Sequence, residues 1–268
     1  MVPEGRGSRE GRAGAHREAV RASFEKQAEE FSRSPVMTDS DALERLVTWS
    51  QLTDEARVLD VACGPGIVTA ALAPHARAVI GIDLTPAMIA RGTEIVTAQG
   101  AHNVIFILGD AARLPFFDSS FDRVISRRSF HHFPDPAAIL SEMARACAPG
   151  GGIVIEDQAL PADPVAAETM TTVDRLRDPS HTRAVAPDAW RDLFAACGLQ
   201  FERIEIVPRE MDFDEWMNRA HPAPDDAARA RDILEAVARG ERSGPRAWRA
   251  GEALRFILDL QIIRGTKP

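Results

Sequence analysis

Short apolar runs that alternate with helical patterns dominate the sequence from residue 56 onward. Most of these runs lack the polar–apolar alternation of a half-exposed strand. Such runs are typical of strands covered by helices on both faces of a parallel sheet. The seven predicted strands lie at residues 57–62, 78–83, 103–108, 121–126, 152–156, 201–207 and 256–264. The pattern therefore predicts an α/β fold with a doubly wound, seven-stranded, mostly parallel sheet.

The order of these elements also predicts where a ligand binds. Right-handed crossover connections bring every loop that follows a parallel strand to the same edge of the sheet. Ligands of doubly wound folds bind outside the carboxyl ends of the strands. We therefore expect the functional residues in the loops that follow the strands.

The remaining segments predict a tail and a helical cap. Residues 1–15 are rich in Gly, Arg and Glu and lack the apolar stretch of a secretory signal. This composition predicts a disordered tail. Residues 16–55 predict two lid helices, the first beginning near residue 16. The strand-and-helix domain takes residues 56–268, with cap insertions near residues 158–186 and 209–250.

A glycine-containing turn follows the first predicted strand and opens a helix. At Gly64 and Gly66 a bulkier side chain would block the approach of a ligand to the backbone. Asp83 ends the second predicted strand, 17 residues after Gly66, where an acid can accept both hydroxyl groups of a ribose. Taken singly, the turn is compatible with an ordinary strand-to-helix connection, and Asp83 with a helix N-cap. Together they indicate a ligand that carries a nucleoside.

The same turn departs from the fingerprint of dinucleotide-binding proteins. That fingerprint has a further glycine three residues after the pair, and Thr69 stands there in this chain. No Lys or Arg is near the turn, although a pyrophosphate would favour positive charge. These features favour S-adenosylmethionine (SAM), which has no pyrophosphate. An NAD(P)-dependent oxidoreductase is kept as an alternative.

Four longer segments follow one another in the order and spacing of a known enzyme family. They are VLDVACGPGIVT (58–69), VIGIDLTPAMIARG (79–92), GDAARLPFFDSSFDRVISRRSFHHFPDP (109–136) and EMARACAPGGGIVIED (142–157). These segments resemble class I SAM-dependent methyltransferases of the ubiquinone/menaquinone-biosynthesis type. The resemblance implies a Rossmann-like fold and transfer of a methyl group from SAM to an O, N or C atom of a small-molecule acceptor. A SAM-binding relative without methyl transfer and a nucleic-acid methyltransferase are the competing interpretations.

The resemblance also implies roles for single residues along the cofactor. Asp83 would bind the ribose hydroxyls, Asp110 the adenine amino group, and the backbone of Arg127 would approach the methionine amino group. Phe31 would belong to the lid, at a position where many relatives carry a tyrosine. The remaining implied cofactor residues are Ala62, Gly64 and Thr69 at the methionine part, and Leu84, Met88 and Ala111 at the adenine.

Two adjacent histidines follow the fourth predicted strand at the expected binding edge. Methyl transfer to oxygen or nitrogen can require a base that removes a proton from the acceptor. A histidine with an ordinary pKa of about 6.5 suits this task. His131 and His132 are therefore the predicted catalytic residues, although a structural or cofactor-side role suits the same positions.

Composition narrows the expected partners. The chain has 32 Lys and Arg residues against 40 Asp and Glu residues, a net charge of −8 that disfavours nucleic acid as partner. Cys63, Cys147 and Cys197 are too widely spaced to indicate a disulfide framework or a zinc site, and no other cluster indicates a metal. No apolar stretch has the length of a membrane span. We expect a cytoplasmic protein that binds a small-molecule acceptor, and a homodimer is left open.

Overall fold

The computed structural model describes residues 6–268, in which the strands follow the predicted order. The described residues form one sheet of eight strands in the order β3-β2-β1-β4-β5-β8-β6, with β7 paired to β8. The predicted count of seven missed β7, which is short, polar and partly exposed. The strands are β1 (Arg57–Val61), β2 (Ala78–Asp83), β3 (Val104–Leu108), β4 (Phe121–Arg127), β5 (Cys147–Gln158), β6 (Gln200–Asp212), β7 (Ala247–Ala250) and β8 (Ala253–Thr266).

The sheet reverses its winding direction between β1 and β4. The chain moves outward from β1 through β2 to β3 and then returns to β4 on the other side of β1, with all these neighbours parallel. β5 continues the parallel part, whereas β8 runs antiparallel to β5, β6 and β7. The switch point opens a crevice at the carboxyl ends of β1 and β4, which is the expected place for a ligand.

Helices cover both faces of the sheet and its carboxyl edge. The first helix begins at Arg6 rather than near residue 16, so residues 6–15 of the predicted tail belong to it and residues 1–5 lie outside the described residues. Arg, Glu and Ala favour a helix in this segment. The segment has no apolar residues at helical spacing, so the sequence pattern did not predict this part of the helix. The helices are α1 (Arg6–Arg33), α2 (Ser40–Ser50), α3 (Ile67–Leu72), α4 (Pro86–Ala98), α5 (Pro136–Ala146), α6 (Pro164–Arg177), α7 (Trp190–Ala196), α8 (Phe213–Asn218) and α9 (Pro224–Ala238).

The predicted insertions form a core of their own. Residues of α6, α8 and α9 pack on the far halves of β6 and β8, around Trp216 and Phe256, whose rings meet edge to face at 5.0 Å. β6 continues to Asp212, beyond its predicted end at residue 207. This second core fixes α6 and the loop after it against the carboxyl edge of the sheet.

Close packing beneath the glycine turn depends on Phe106 of β3. A Cβ atom at Gly66 would lie 2.5 Å from the Phe106 ring, and one at Gly92 of α4 would lie 2.8 Å from it. Gly66 also has a φ of +72°, in the left-handed region that favours glycine. The turn, α4 and β3 therefore approach one another through positions that lack side chains.

Candidate active site

A cavity of about 240 Å³ lies at the switch point, and α1 covers it. Its walls come from the turn after β1 and from the loops after β2, β3 and β4. It also contacts the inner side of α1 through Val20, Phe24 and Phe31. The predicted site residues that line it are Phe31, Ala62, Gly64, Asp83, Leu84, Met88, Asp110, Ala111, Arg127 and His132. Thr69 and His131 were also predicted but do not line it.

Asp83 ties the glycine turn to the end of β2. Its Oδ2 accepts a hydrogen bond from the Gly64 backbone N–H at 2.9 Å, and its Oδ1 accepts one from the Thr85 N–H at 2.9 Å. Burial raises the pKa of Asp83, and the backbone donors partly oppose this shift. Each oxygen of a carboxylate can accept more than one hydrogen bond, so Asp83 can still receive hydroxyl groups from a ligand in the cavity.

Thr69 lies behind the cavity wall, and Asp60 occupies the wall in its place. The buried Thr69 hydroxyl donates to Asp60 Oδ2 at 2.6 Å. Burial raises the pKa of Asp60 to about 7. Sequence reasoning missed Asp60, although a carboxylate inside an apolar strand was an available signal, because a buried acid needs a compensating partner.

The lid helix is held at two rims of the cavity. On the β3 side, Arg17 lies 3.5 Å from Asp110, whose other oxygen accepts from the Ala112 N–H at 2.9 Å. On the β4 side, His16 Nε2 lies 2.7 Å from the backbone oxygen of His132. These contacts tie α1 to two sides of the cavity.

His131 is held outside the cavity by Asp157 at the end of β5. Its backbone N–H donates to Asp157 Oδ2 at 3.1 Å, and its ring Nδ1 is hydrogen-bonded to Asp157 Oδ1. Burial by itself would lower the pKa of His131, but the Asp157 carboxylate outweighs burial and raises that pKa. The raised pKa favours the protonated ring, and the hydrogen bonds to Asp157 hold the His131 ring outside the cavity.

His132 lines the cavity as a neutral base. Its Nδ1 lies 3.0 Å from the Ser180 hydroxyl, which donates to Asp178 Oδ1 at 2.6 Å. Because the Ser180 proton goes to the carboxylate, its oxygen accepts from Nδ1–H, and the lone pair of His132 is on Nε2. Burial and the adjacent His131 charge lower the pKa of His132 to about 3, so its ring is uncharged at neutral pH.

The residues that orient His132 were not among the predicted site residues. Ser180 and Asp178 lie in the loop after α6, and the Phe24 ring of the lid packs edge to face on His132 at 5.0 Å. Burial raises the pKa of Asp178, whereas the hydrogen bonds from Ser180 and the charge of Arg177 lower it, and the net shift is downward. Asp178 is therefore ionised and fixes the His132 tautomer through Ser180.

Two arginines converge on one carboxylate at the β4–β5 side of the site. Arg127 Nε donates to Glu156 Oε1 at 2.9 Å, and Arg128 Nε donates to the same oxygen at 3.5 Å. Arg127 Nη1 also donates to the Met37 backbone oxygen at 2.9 Å. All three charged side chains are largely buried, with 2%, 12% and 5% of Arg127, Arg128 and Glu156 exposed.

Known proteins now place this arrangement in a family. A family model described as a methyltransferase domain matches residues 58–151. YcgJ from Bacillus subtilis, named an uncharacterized methyltransferase, is 33% identical over 196 residues, which are 73% of this chain and 78% of YcgJ. This chain belongs to the SAM-dependent methyltransferases. The crystal structure of YcgJ matches this methyltransferase with a TM-score of 0.80 and 30% identity, over 85% of this chain and 98% of YcgJ.

Two further relatives of the methyltransferase have names that include a substrate. Demethylmenaquinone methyltransferase from Shouchella clausii is 32% identical over 145 residues, covering 50% of this chain and 62% of the relative. Tocopherol O-methyltransferase from Arabidopsis thaliana is 38% identical over 121 residues, covering 42% of this chain and 35% of the relative. The predicted family, Rossmann-like fold and SAM cofactor are confirmed.

The cavity of the methyltransferase suits this cofactor. SAM has a positive sulfonium and no phosphate, and the glycine turn is bordered by the acids Asp60 and Asp83. Within residues 6–268 we find neither a cluster of three or more His, Cys, Asp or Glu residues placed to hold a metal ion nor a helix suited to crossing a bilayer.

We expect Asp83→Ala and Asp110→Ala each to weaken SAM binding by about 1–3 kcal/mol, since each substitution removes a hydrogen-bond acceptor from the cavity wall. Titration calorimetry with SAM and with S-adenosylhomocysteine (SAH) measures the change. Asp54→Ala, at an exposed turn before β1, is the matched control and should bind like the wild type. Wild-type affinity in both cavity variants would mean that the cofactor binds elsewhere.

We also expect SAM binding to release protons near pH 6.5 and to tighten as the pH rises from 6 to 8. With its pKa at about 7, Asp60 is partly protonated in this range, and a bound cation favours its ionised form. Calorimetry in two buffers of different ionisation enthalpy measures the protons released. Asp60→Asn should abolish the release, and SAH, which lacks the sulfonium charge, should reduce it. Equal heats in both buffers for the wild type with SAM would contradict this assignment.

Proposed function

We propose that this methyltransferase methylates a hydroxyl or amine group of a small-molecule acceptor, with His132 as the general base. The observation that carries the proposal is the orientation of His132, whose neutral ring faces the cavity with Nε2 as the acceptor atom. An acceptor O–H or N–H that donates to Nε2 would become a stronger nucleophile as it loses its proton.

Other residues of the chain bind the cofactor, close the cavity and orient His132. SAM supplies an already activated methyl group, so alignment of the acceptor and exclusion of water are the main requirements. Asp83 and Asp110 hold the nucleoside end, and α1 closes the cavity through Arg17 and Phe24. The Asp178–Ser180 pair keeps the His132 ring in the tautomer that can accept a proton.

A small molecule is the acceptor class that suits the site best. The cavity lies under a helix and is partly lined by apolar side chains of α1, including Val20, Phe24 and Phe31. The net charge of −8 gives no general attraction to nucleic acid. The names of the demethylmenaquinone and tocopherol methyltransferases support an apolar acceptor. Three cysteines without disulfide partners suit a reducing compartment, and we place the enzyme in the cytoplasm.

The decisive experiment offers the purified enzyme methyl-tritiated SAM together with panels of phenols, quinols and amines. Transfer of tritium to an oxygen or nitrogen acceptor supports the proposal. Duplex DNA and transfer RNA serve as additional arms, and label in nucleic acid alone would contradict a small-molecule acceptor. Methylation of carbon alone would contradict the stated reaction, and cofactor binding without any transfer would favour a SAM-binding protein that is not a methyltransferase.

A further inference from the structure

The arginine pair at the end of β4 has more positive charge than its surroundings neutralise. Arg127 and Arg128 share the single carboxylate of Glu156. Asp60 faces the same cavity and interacts with the charge of Arg127 without forming a salt bridge, and the nearby Arg209 is engaged by Asp39 at 2.7 Å. Burial, together with the charge of Arg127, lowers the pKa of Arg128 to about 10.

Each arginine also has a nitrogen without a partner. Nη2 of Arg127 and Nη2 of Arg128 are buried, and neither makes a hydrogen bond within the described part of the chain. Both side chains line the cavity under α1. Unpaired buried donors on a charged group are strongly unfavourable, so a ligand that supplies an acceptor there would be bound tightly.

The backbone holds Arg128 in a conformation that ordinary residues avoid. Its φ is +55°, in the left-handed region, and its N–H donates to the Glu156 backbone oxygen at 2.6 Å. Such a conformation is unfavourable for a residue with a Cβ atom, and residues in it cluster at functional sites. Here it places the second guanidinium beside the first.

We propose that Arg127 and Arg128 form a carboxylate-binding site within the cavity. Paired guanidinium groups suit a carboxylate because they offer parallel N–H donors with full positive charge. Two ligands of the enzyme can supply the carboxylate: the amino-acid end of the cofactor, or a methyl acceptor that bears an acid group. The second source rests on the proposed function, whereas the first depends only on cofactor binding.

The experiment compares ligands that differ by one carboxylate on the wild type, Arg128→Met and Arg128→Lys. The first arm measures SAH against decarboxylated SAH by titration calorimetry. The second arm measures 4-hydroxybenzoate against phenol in the presence of saturating SAH. Binding is read without methyl transfer, so an inactive enzyme in the tritium assay does not decide this test.

We expect Arg128→Met to weaken the binding of one carboxylate ligand by about 10- to 100-fold. The affinity for the matching ligand without the carboxylate should fall by less than twofold. A selective loss for SAH assigns the site to the cofactor, and one for 4-hydroxybenzoate assigns it to the acceptor. Arg128→Lys keeps the charge, so it tests the same preference should the methionine variant fail to fold. It should show an intermediate loss.

Arg209→Met is the matched control. Arg209 lies near the pair but lines a separate cavity of about 360 Å³ on the other side of Glu156. It should bind all four ligands like the wild type. The proposal is overturned if the wild type shows no preference for the carboxylate ligand in either arm, or if both Arg128 variants keep that preference.

Discussion

Replacing His132 with glutamine is expected to lower kcat by about 10²-fold, the lower end of the usual contribution of a general base, because a pKa of about 3 makes His132 a weak base. Glutamine is similar in length and can keep the hydrogen bond to Ser180, but it cannot take a proton from the acceptor. Because the proposed nucleoside contacts are made by Asp83 and Asp110 and not by His132, SAH affinity should change little. The measurement is single-turnover methyl transfer at saturating SAM, once a substrate from the tritium panel is known.

Two variants separate catalysis from structure in this experiment. His75→Gln, at an exposed position remote from the cavity, should have wild-type kcat. Ser180→Ala should lower kcat less than His132→Gln, since it only frees the ring to adopt the wrong tautomer. A His132→Gln enzyme with wild-type kcat would remove His132 from the chemistry and leave the reaction to alignment alone.

The pH dependence of kcat provides an independent test of His132 as the general base. A base is active above its pKa and loses activity as the pH falls through it. With the pKa of His132 lowered to about 3, kcat at saturating SAM should stay level from pH 8 to pH 5. An ordinary histidine would lose most of its activity over this range. His131→Gln removes the neighbouring charge and should move the loss of activity to higher pH.

The sequence predicted best what depends on local pattern. β2 matches its predicted bounds at residues 78–83 because its apolar residues, buried between layers of helices, form an uninterrupted run. β6 was predicted to end five residues too early because it lies at the edge of the sheet, where Glu and Arg are interspersed with apolar residues. The edge position lets charged side chains reach water, so no apolar run marks the end of this strand.

In the site, too, residues marked by the local sequence pattern were predicted, and residues brought in by tertiary packing were not. Asp83, Asp110 and Arg127 each end a strand or follow one within two residues, so strand prediction alone brought them to one edge. Ser180 and Asp178 reach His132 only because α6 and the second core position their loop, and no spacing along the chain encodes that contact. Thr69 was predicted at the methionine part of the cofactor, but its side chain turns toward Asp60 rather than the cavity.

Gly66→Ala is the substitution expected to affect stability most directly. The left-handed φ of +72° costs an alanine about 1–2 kcal/mol. Its Cβ would also lie 2.5 Å from the Phe106 ring and 3.1 Å from the Gly92 Cα. Overpacking of this kind costs about 1–3 kcal/mol more. We therefore expect the free energy of unfolding to fall by about 2–5 kcal/mol, measured by urea denaturation.

Gly100→Ala separates the two contributions. Gly100 has a φ of +69°, but a Cβ there would meet nothing within 4 Å, so this variant should lose only the conformational part, about 1–2 kcal/mol. In a Phe106→Leu background the ring is gone, and Gly66→Ala should then cost little more than Gly100→Ala. The coupling between Gly66 and Phe106 in this double-mutant cycle measures the contact directly. Equal losses for Gly66→Ala in both backgrounds would show that backbone strain alone, and not the packing of β3 against the turn, makes glycine necessary here.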